Sequence, residues 1–553
     1  MNLEMKKWFN SGTPWIWLNA GAVSISLIMV LGLLGLILVK GMSYFWPSDV
    51  FQAEYQQANG EKIQLIGEIS GREMIAAVNA RDNGYKIEND EDLERYLVKV
   101  GNRDVYGSDF QLVLSTFLSD LHYPDDLVVV ERREWGNAYG TILNIKEKGN
   151  VIAEGKKAEE ILKERLQQVL LVFSEIQDIQ KHKIGSINFE VERLRLKQRK
   201  LELDGVTDKA AFNSIATERA TLEEQYEVLR QEMQLLFTQI RRDSITIKTM
   251  TGSELNIPLE KMVRYYNPNA MSVFDKSIFY IEKIWEFVSD DPREANTEGG
   301  IFPAIFGTVL MVMLMAVMVT PLGVIAAVYL REYAKQGVLI RLIRIAVNNL
   351  AGVPSIVYGV FGLGFFVYFL GGNIDALFFP EAAPAPVFGT PGILWSSLTL
   401  ALLTLPVVIV ATEEGLARIP RSLREGSLAL GATKIETLWR IVLPMASPAM
   451  MTGLILAVAR AAGEVAPLML VGVVKLAPSL PLDGNFPFMH MERKFMHLGF
   501  HIYDVGFQSP NVEAARPLVY ATSLLLIVVI VLLNIFAIHF RNNLREKYRS
   551  LEH

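Results

Sequence analysis

Residues 425–444 read EGSLALGATKIETLWRIVLP. This charged, helix-forming stretch stands between two long apolar runs, and the rest of the chain falls into place around it. Ser422 followed by Glu425 fits a capping box, in which the hydroxyl caps an early backbone N–H and the carboxylate reaches back. Thr433 followed by Glu436 fits a second. Gly431 lies between them, where a helix end favours a residue that accepts left-handed backbone. Pro444 and Pro448 stop or bend the next helix. The spacing predicts two short helices joined by a glycine turn. Arg418, Arg421, Arg424, Lys434 and Arg440 flank it and place it on the cytoplasmic side. If the Ser422 box forms, the Glu425 carboxylate holds its own helix start. If it does not, that carboxylate is open to a partner.

Outward from this stretch the 553-residue chain divides into two populations. Residues 16–39, 303–330, 345–371, 393–411, 447–474 and 517–540 are long apolar runs. A bilayer core of ~30 Å needs roughly 20 apolar residues, so each run can cross it. The third is interrupted by Pro354 and several glycines. The net charge of −6 argues against a nucleic-acid partner. The absence of cysteine removes disulfides, thiolate metal sites and cysteine nucleophiles. Residues 551–553 read as the remnant of an expression tag.

Residues 1–44 form an N-terminal tail, with Lys6 and Lys7, and a first apolar anchor. The positive-inside rule puts the N-terminus in the cytoplasm and residues 45–300 outside. Within 50–153, short alternating runs (Lys62–Ile69, Leu127–Arg132, Thr141–Ile145) between turn signals predict a β-rich domain. Residues 156–243 change period. Leu162, Leu166, Val169, Phe173 and Ile176, then Ile187, Val191, Leu194 and Leu201, and after Asp204-Gly205 a further series from Ile215 to Ile240, predict a coiled-coil hairpin. Strand-like alternation resumes over 244–266, so the hairpin is inserted into the β-rich domain. It reads equally as a spacer or as a docking arm for a partner. The expected fold is thus an all-α membrane part over 301–550 with six transmembrane helices in all, plus an external α+β domain. Arg331, Lys335, Arg341, Arg344, Arg541, Arg545, Lys547 and Arg549 lie in segments this count puts inside, and both short outer loops are poor in positive charge, as the rule requires. Both termini are then cytoplasmic.

Arg460 and Glu464 sit four apart in the fifth run, which on a helix places them on one face. A charge within a bilayer costs at least about 2.5–3.5 kcal/mol, so such residues face the bundle interior or a watery path. Arg460 could meet an anion through charge-assisted bonds; equally, the pair could neutralise itself. In the third run Ser355 and Tyr358 could line the same path, while Gly359, Gly362 and Gly364 allow close helix packing. His490, His497 and His501 read as part of an aromatic-rich lid or re-entrant segment, since their spacing is not that of a compact metal site. The chain has neither a P-loop nor a G-x-S-x-G elbow, so nothing predicts a catalytic site or nucleotide hydrolysis of its own.

Glu425, Gly431, Ile441, Leu443 and Pro444 follow the spacing Glu-x5-Gly-x9-Ile-x-Leu-Pro, which is similar to the cytoplasmic EAA loop of ABC importer membrane subunits. Gly426 and Ser427 stand where that pattern usually has two alanines. The stretches NNLAGVPSIVYGVFGLGFF (348–366), LPVVIVATEEGLARIPRSLREGSLALGAT (405–433) and AVARAAGEVAPLMLVG (457–472) resemble the permease subunits of phosphate importers. The resemblance covers about 300–545, and the external domain marks a long form of that family. It implies a type I ABC importer permease fold and a bacterial inner-membrane location, with the large domain periplasmic. It implies as partners a second permease subunit forming a heterodimer, a cytoplasmic ATPase dimer and a periplasmic phosphate-binding protein. No cofactor is expected on this chain, ATP and Mg belonging to the ATPase subunits. The loop of about 413–444 would couple to the ATPase, with Arg424, Glu425, Gly426, Ser427, Leu430, Gly431, Ala432 and Thr433 at its centre. Two other readings stay open: a membrane-anchored periplasmic sensor or scaffold acting through the hairpin, and a permease for another oxyanion such as sulfate or molybdate.

Overall fold

The computed structural model of the chain describes residues 11–82, 84–87, 90–509 and 512–548. Lys6, Lys7, Arg549 and residues 551–553 lie outside the described residues.

Among the described residues six helices are long and apolar enough to cross a membrane: Thr13–Ser43, Phe302–Tyr333, Ser355–Phe378, Ile393–Arg418, Lys434–Gly463 and Ala515–Glu546. They are called spans one to six. Spans two, four and five share the bundle core, where Met311, Met315, Leu400, Ala401, Val408, Ala457 and Ala461 are buried together. Small residues set the closeness of packing. A side chain at Gly453 would run into Ala411, one at Gly415 into Ala449, and one at Gly323 into Val408. Span one stands apart and meets the others where Gly41 lies against the backbone of Tyr520 in span six. The end of the bundle that carries residues 45–300 is called the domain end, and the opposite end the loop end.

Span three departs from a single run over 345–371. Helix formation stops at Leu350, and residues 351–354 carry no helix. The residue before a proline is pushed out of the helical region, so Val353 and Pro354 break the run and a new helix starts at Ser355. The earlier piece, α5 (Val338–Leu350), packs Ile340, Ile343 and Val347 on Leu330 and Ile409. Further along, Gly362 lies against Thr399. The break therefore falls between the levels of Thr399 and Ile409, near the middle of span four.

Span five also differs from 447–474. It begins at Lys434 and runs to Gly463 through Pro444 and Pro448. Pro444 follows a wide turn over Leu438–Val442, where the wider hydrogen-bond ladder absorbs the missing N–H. The prolines therefore shape this helix without ending it.

Residues 45–300 build two large antiparallel sheets and a small two-stranded one, Pro292–Arg293 against Glu298–Gly299. Strands β1 (Phe51–Gln56), β2 (Lys62–Ile75), β3 (Leu93–Lys99), β4 (Phe110–Leu114) and β5 (Leu118–His122) pair in the order β4-β3-β2-β1-β5. Strands β6 (Val128–Arg132), β7 (Ala138–Glu147), β8 (Asn150–Glu154), β9 (Asp243–Lys248), β10 (Glu254–Pro258) and β11 (Met262–Tyr266) form the second sheet, in the order β10-β9-β7-β6-β11 with β8 on β7. Between β8 and β9 the chain leaves the sheet as α1 (Gly155–Asp178), α2 (Gly185–Leu203) and α3 (Lys209–Ile240). Gly205, with φ +69°, turns it back, and Asp208 caps α3 by accepting from the Ala210 N–H. The apolar seam is anchored at the base. There Leu162, Leu166, Val169, Ile176 and Ile240 share a core with Ile245 and Ile247 of β9. A wide-turn segment, Ile179–Ile184, separates α1 from α2 and shifts the seam between Ile176 and Ile187. Beyond it Ile187, Leu194 and Ile215 of the expected series are buried and Tyr226 is exposed. The arm also touches the bundle. Phe189 meets the ring of His490 edge-on at 5.6 Å, and Lys181 pairs with Asp291.

Candidate functional site

At the loop end, spans four and five are joined by α6 (Arg421–Ala429) and a turn. The Ser422–Glu425 capping box does not form. Ile419 is extended because Pro420 follows it, Pro420 itself is the cap residue, and the helix is already under way at Arg421. Ser422 is thus inside the first turn, and the Glu425 side chain is exposed with no hydrogen-bond partner among the described residues. The second box does form: Thr433 and Glu436 exchange side-chain and backbone bonds at 2.8 and 3.3 Å. Between them Ala432 N donates to Ser427 O and Gly431 N to Leu428 O, with Gly431 at φ +89°. This is the Schellman pattern, and it requires glycine at that position.

The segment has two sides. On the inner side Arg424 donates to the carbonyls of Leu416 and Ile419 at 2.9 and 2.7 Å and to Glu332 of span two at 2.8 Å. Ser427, buried, shares a 2.9 Å hydroxyl bond with Thr437. Lys434 donates to Glu332 O and lies over the Tyr333 ring. These contacts tie α6 to the ends of spans two, four and five. On the outer side Leu430 is 91% exposed, Ile435 70% and Trp439 74%. Ile435 and Trp439 are one turn apart, so they share a face. Gly426 is exposed, and a side chain there would meet nothing within 4 Å. Arg424, expected at a partner contact, is turned into the bundle. Ile435 and Trp439 went unremarked in the sequence, although an apolar pair at helical spacing beside lysine and arginine was the signal.

The second group lies at mid-depth. Arg460 Nε and Glu464 Oε1 are 3.5 Å apart. Their common helix face is only half present: the helix ends at Gly463 and Glu464 is extended, with ψ 132°. The segment after it turns back along span three, where a side chain at Gly359 would strike Pro467. Tyr358, buried, donates to Leu350 O across the break at 2.7 Å. Ser355, partly exposed, opens the new helix one turn before it. Ser355, Tyr358, Arg460 and Glu464 thus gather around the interruption in span three. Toward the loop end lies a cavity of about 130 Å³, lined by Arg344, Val347, Asn348, Ile409 and Glu413, with Arg344 paired to Glu413 at 3.3 Å.

The histidines of the domain-end loop serve different ends. His490 sits between Asp483 and Glu492 at 3.0 and 3.2 Å. His497 accepts from Gly499 N and caps the short helix beginning at Leu498. His501 is buried beside Thr522. Burial pulls His497 down to about 3 and His501 to about 4, in the second case against the pull of Asp504. Both are therefore neutral at pH 7.

Residues 319–548 match the family described as "Binding-protein-dependent transport system inner membrane component". The phosphate transport system permease protein PstA of Mycobacterium leprae is 37% identical over 245 residues, 44% of this chain and 71% of that one. The chain belongs to the PstA family of phosphate transport permeases. The PstA of Yersinia pestis is 33% identical over 251 residues, 45% of this chain and 75% of its own. PstA 1 of Mycobacterium tuberculosis is 40% identical over 185 residues, 34% of this chain and 54% of its own. Among solved structures, a chain of an inward-facing methionine ABC transporter covers 48% of this chain and 98% of its own, at 17% identity and a TM-score of 0.34. Residues 45–300 lie outside the family match. A PstA-family chain is a multi-pass inner-membrane permease subunit and not an enzyme; ATP hydrolysis resides in partner subunits.

Proposed function

We propose that this chain is a translocating subunit of an ATP-driven importer of inorganic phosphate. The observation that carries the coupling half of the reading is the two-sided segment 421–439. Its inner side is hydrogen-bonded to three spans, while Glu425, Leu430, Ile435 and Trp439 stand bare. A short, rigid, locally apolar knob of this kind suits a groove on an ATPase subunit, and its bonds would carry the displacement of that subunit into the spans. Arg424 then transmits, and Glu425, Leu430 and the turn at Gly431, Ala432 and Thr433 make the contact. Basic residues crowd this end (Arg331, Lys335, Arg341, Arg344, Arg418, Arg421), which supports a cytoplasmic loop end, cytoplasmic termini and a periplasmic domain.

The substrate half rests on the interruption of span three. Non-helical backbone at membrane depth is tolerated where it lines a cavity or is buried in protein, and the start of a half-helix favours an anion. Arg460 stands beside it, held by Glu464. A phosphate arriving there would compete with Glu464 for the guanidinium, with Ser355 and Tyr358 as hydroxyl donors. Alternating exposure of this level to the two sides would complete transport, together with a second permease subunit in a heterodimer, an ATPase dimer holding ATP and Mg, and a periplasmic phosphate-binding protein. The test is uptake of labelled phosphate at low external concentration by cells carrying Arg460→Gln, with expression matched. Loss is expected; normal uptake removes Arg460 from the path. Sulfate and molybdate as competitors decide between oxyanions.

A second reading, a periplasmic sensor or scaffold, is favoured by one observation: the helical arm is seated on the outer loops through Phe189 and His490. Removal of 156–243 with unchanged uptake and lost signalling would assign the arm to that role. Lost uptake would tie it to transport.

A further inference from the structure

Helix α4 (Val273–Ser289) lies outside the family match and joins the second sheet to span two. Ser272 and Asp275 close a capping box at its start. Its four sides face different surroundings. Phe279 packs on Tyr266 of β11, and Glu286 is paired with Arg264, Lys283 and Arg293, so this side is fixed to the sheet domain. The next side is fixed to the membrane entry. Phe287 meets Tyr44 and Phe45 at the end of span one, Tyr280 meets Phe45 and Trp46, and Phe287 O accepts from Ile301 N at the start of span two. The third side is bare and apolar. Phe274, Ile278, Ile281 and Trp285, spaced four, three and four apart, are 73, 44, 66 and 71% exposed. The fourth side, between the bare stripe and the sheet, carries Asp275 and Glu282, both exposed.

This order around the helix is the arrangement an interfacial helix needs. At 100° per residue the apolar stripe adjoins the side that touches the span ends, and the acidic side adjoins the sheet, away from the spans. Trp46 and Trp285 are placed where indole rings settle at a membrane–water boundary.

We infer that α4 lies along the outer leaflet, with Phe274, Ile278, Ile281 and Trp285 sunk among headgroups and upper acyl chains, and holds the external domain against the bilayer. The occupant is the lipid surface itself, because the stripe continues the surface of the two span ends it is bonded to. An amphipathic helix of this kind sinks about 5–10 Å into the boundary. The inference rests on the membrane placement of spans one and two and is independent of the substrate.

The chain has no cysteine, so single labels can be introduced into it directly. Phe274→Cys, Ile278→Cys, Ile281→Cys and Trp285→Cys, with Glu282→Cys as the polar-side control, are spin-labelled in the full chain in phosphatidylcholine–phosphatidylglycerol nanodiscs. Collision with oxygen and with a water-soluble nickel chelate is then measured. The stripe labels are expected to be open to oxygen and shielded from the chelate, and the 282 label the reverse. Equal access of the chelate to all five overturns the inference in favour of a water-facing helix. Shielding of the stripe from both reagents overturns it in favour of a protein cover. Because oxygen and chelate report on each label separately, one variant that fails to fold leaves the others decisive.

Discussion

Two of the connections between consecutive spans, the one before span five and the one after it, are built in different ways. The loop-end segment 419–433 satisfies its inward polar groups with carbonyls and hydroxyls of the spans and leaves Leu428 and Leu430 in the open. The domain-end loop after span five differs in that it buries charged and imidazole side chains, although Phe486, Phe488 and Phe507 stay exposed. His490, His497 and His501 are buried, Asp483 is clasped by Arg493 and His490, and Ile393 and Leu394 of span four bond to its backbone. The first has the form of a lever with one free face, the second that of a plug. The contrast separates residues that carry force from residues that meet a partner, and each can be tested alone.

The largest expected effect is one of pH, and it should strike the plug and spare the lever. The folded-state values of His497 and His501 are lowered by burial to about 3 and about 4, whereas free histidine titrates near about 6.5. The unfolded chain therefore takes up protons that the folded chain refuses. Stability is fully present above about pH 6.5 and falls as pH drops through the window down to about 4 for His501 and about 3 for His497. Asp483 enters later. Burial raises its carboxyl, but the Asn485 N–H, Arg493 and His490 outweigh this and hold it at about 2, so its contribution is lost only below about pH 4. Thermal unfolding followed from pH 7.5 to pH 4 should show a falling midpoint. His501→Gln should flatten the curve, and an unchanged slope in that variant would assign the loss elsewhere.

Next in size is Arg424→Ala. It strips Glu332 of its partner and leaves the carbonyls of Leu416 and Ile419 without their donor, and breaking a largely buried pair of this kind costs about 3 kcal/mol. The purified chain should melt at lower temperature even with no ATPase present. Leu430→Asp and Trp439→Ala should do the opposite. Both side chains are exposed, so the isolated chain keeps its midpoint, while the complex with the ATPase weakens by about 2 kcal/mol for a central contact. Co-purification read beside the melting curve separates the two outcomes. A drop in stability in Leu430→Asp would show the bare face to be covered within the chain itself.

Much of this was legible in the sequence because it rests on local rules. Thr433–Glu436, Gly431 and the first, second, fourth and sixth apolar runs depend on neighbours a few residues apart, and they stand in the structure as read. The turn at Gly205 and the strands near 62–69, 128–132 and 141–145 belong to the same class. What failed depended on a competing local signal or on contacts distant in sequence. Pro420 sets the start of α6 ahead of Ser422, so the carboxylate of Glu425 is free. A wide turn before Pro444 lets span five pass through a residue that ordinarily ends a helix. The inward turn of Arg424 could not be read at all, since its partner Glu332 is in span two, 92 residues away. The gathering of Ser355, Tyr358, Arg460 and Glu464 was readable only as separate suspicions; their meeting needs the packing of Gly359 on Pro467. The stripe of α4 was there to be read, as Phe274, Ile278, Ile281 and Trp285 at helical spacing.

The smallest expected effect is also the finest probe of the lever's free face. Gly426 occupies a helical position with open space where a side chain would be. Alanine there should stabilise α6 by about 0.5–1 kcal/mol, since glycine in a helix gives up more backbone freedom on folding. In the isolated chain Gly426→Ala should therefore raise the melting temperature slightly, the reverse of Arg424→Ala. Its effect on the complex is a separate reading of how near the ATPase comes. If the added methyl leaves co-purification unchanged or improved, the partner sits over Leu430 and Trp439 and clears the middle of α6. If the chain gains stability while the complex weakens, the partner's surface presses against residue 426, and the missing side chain is what lets it approach.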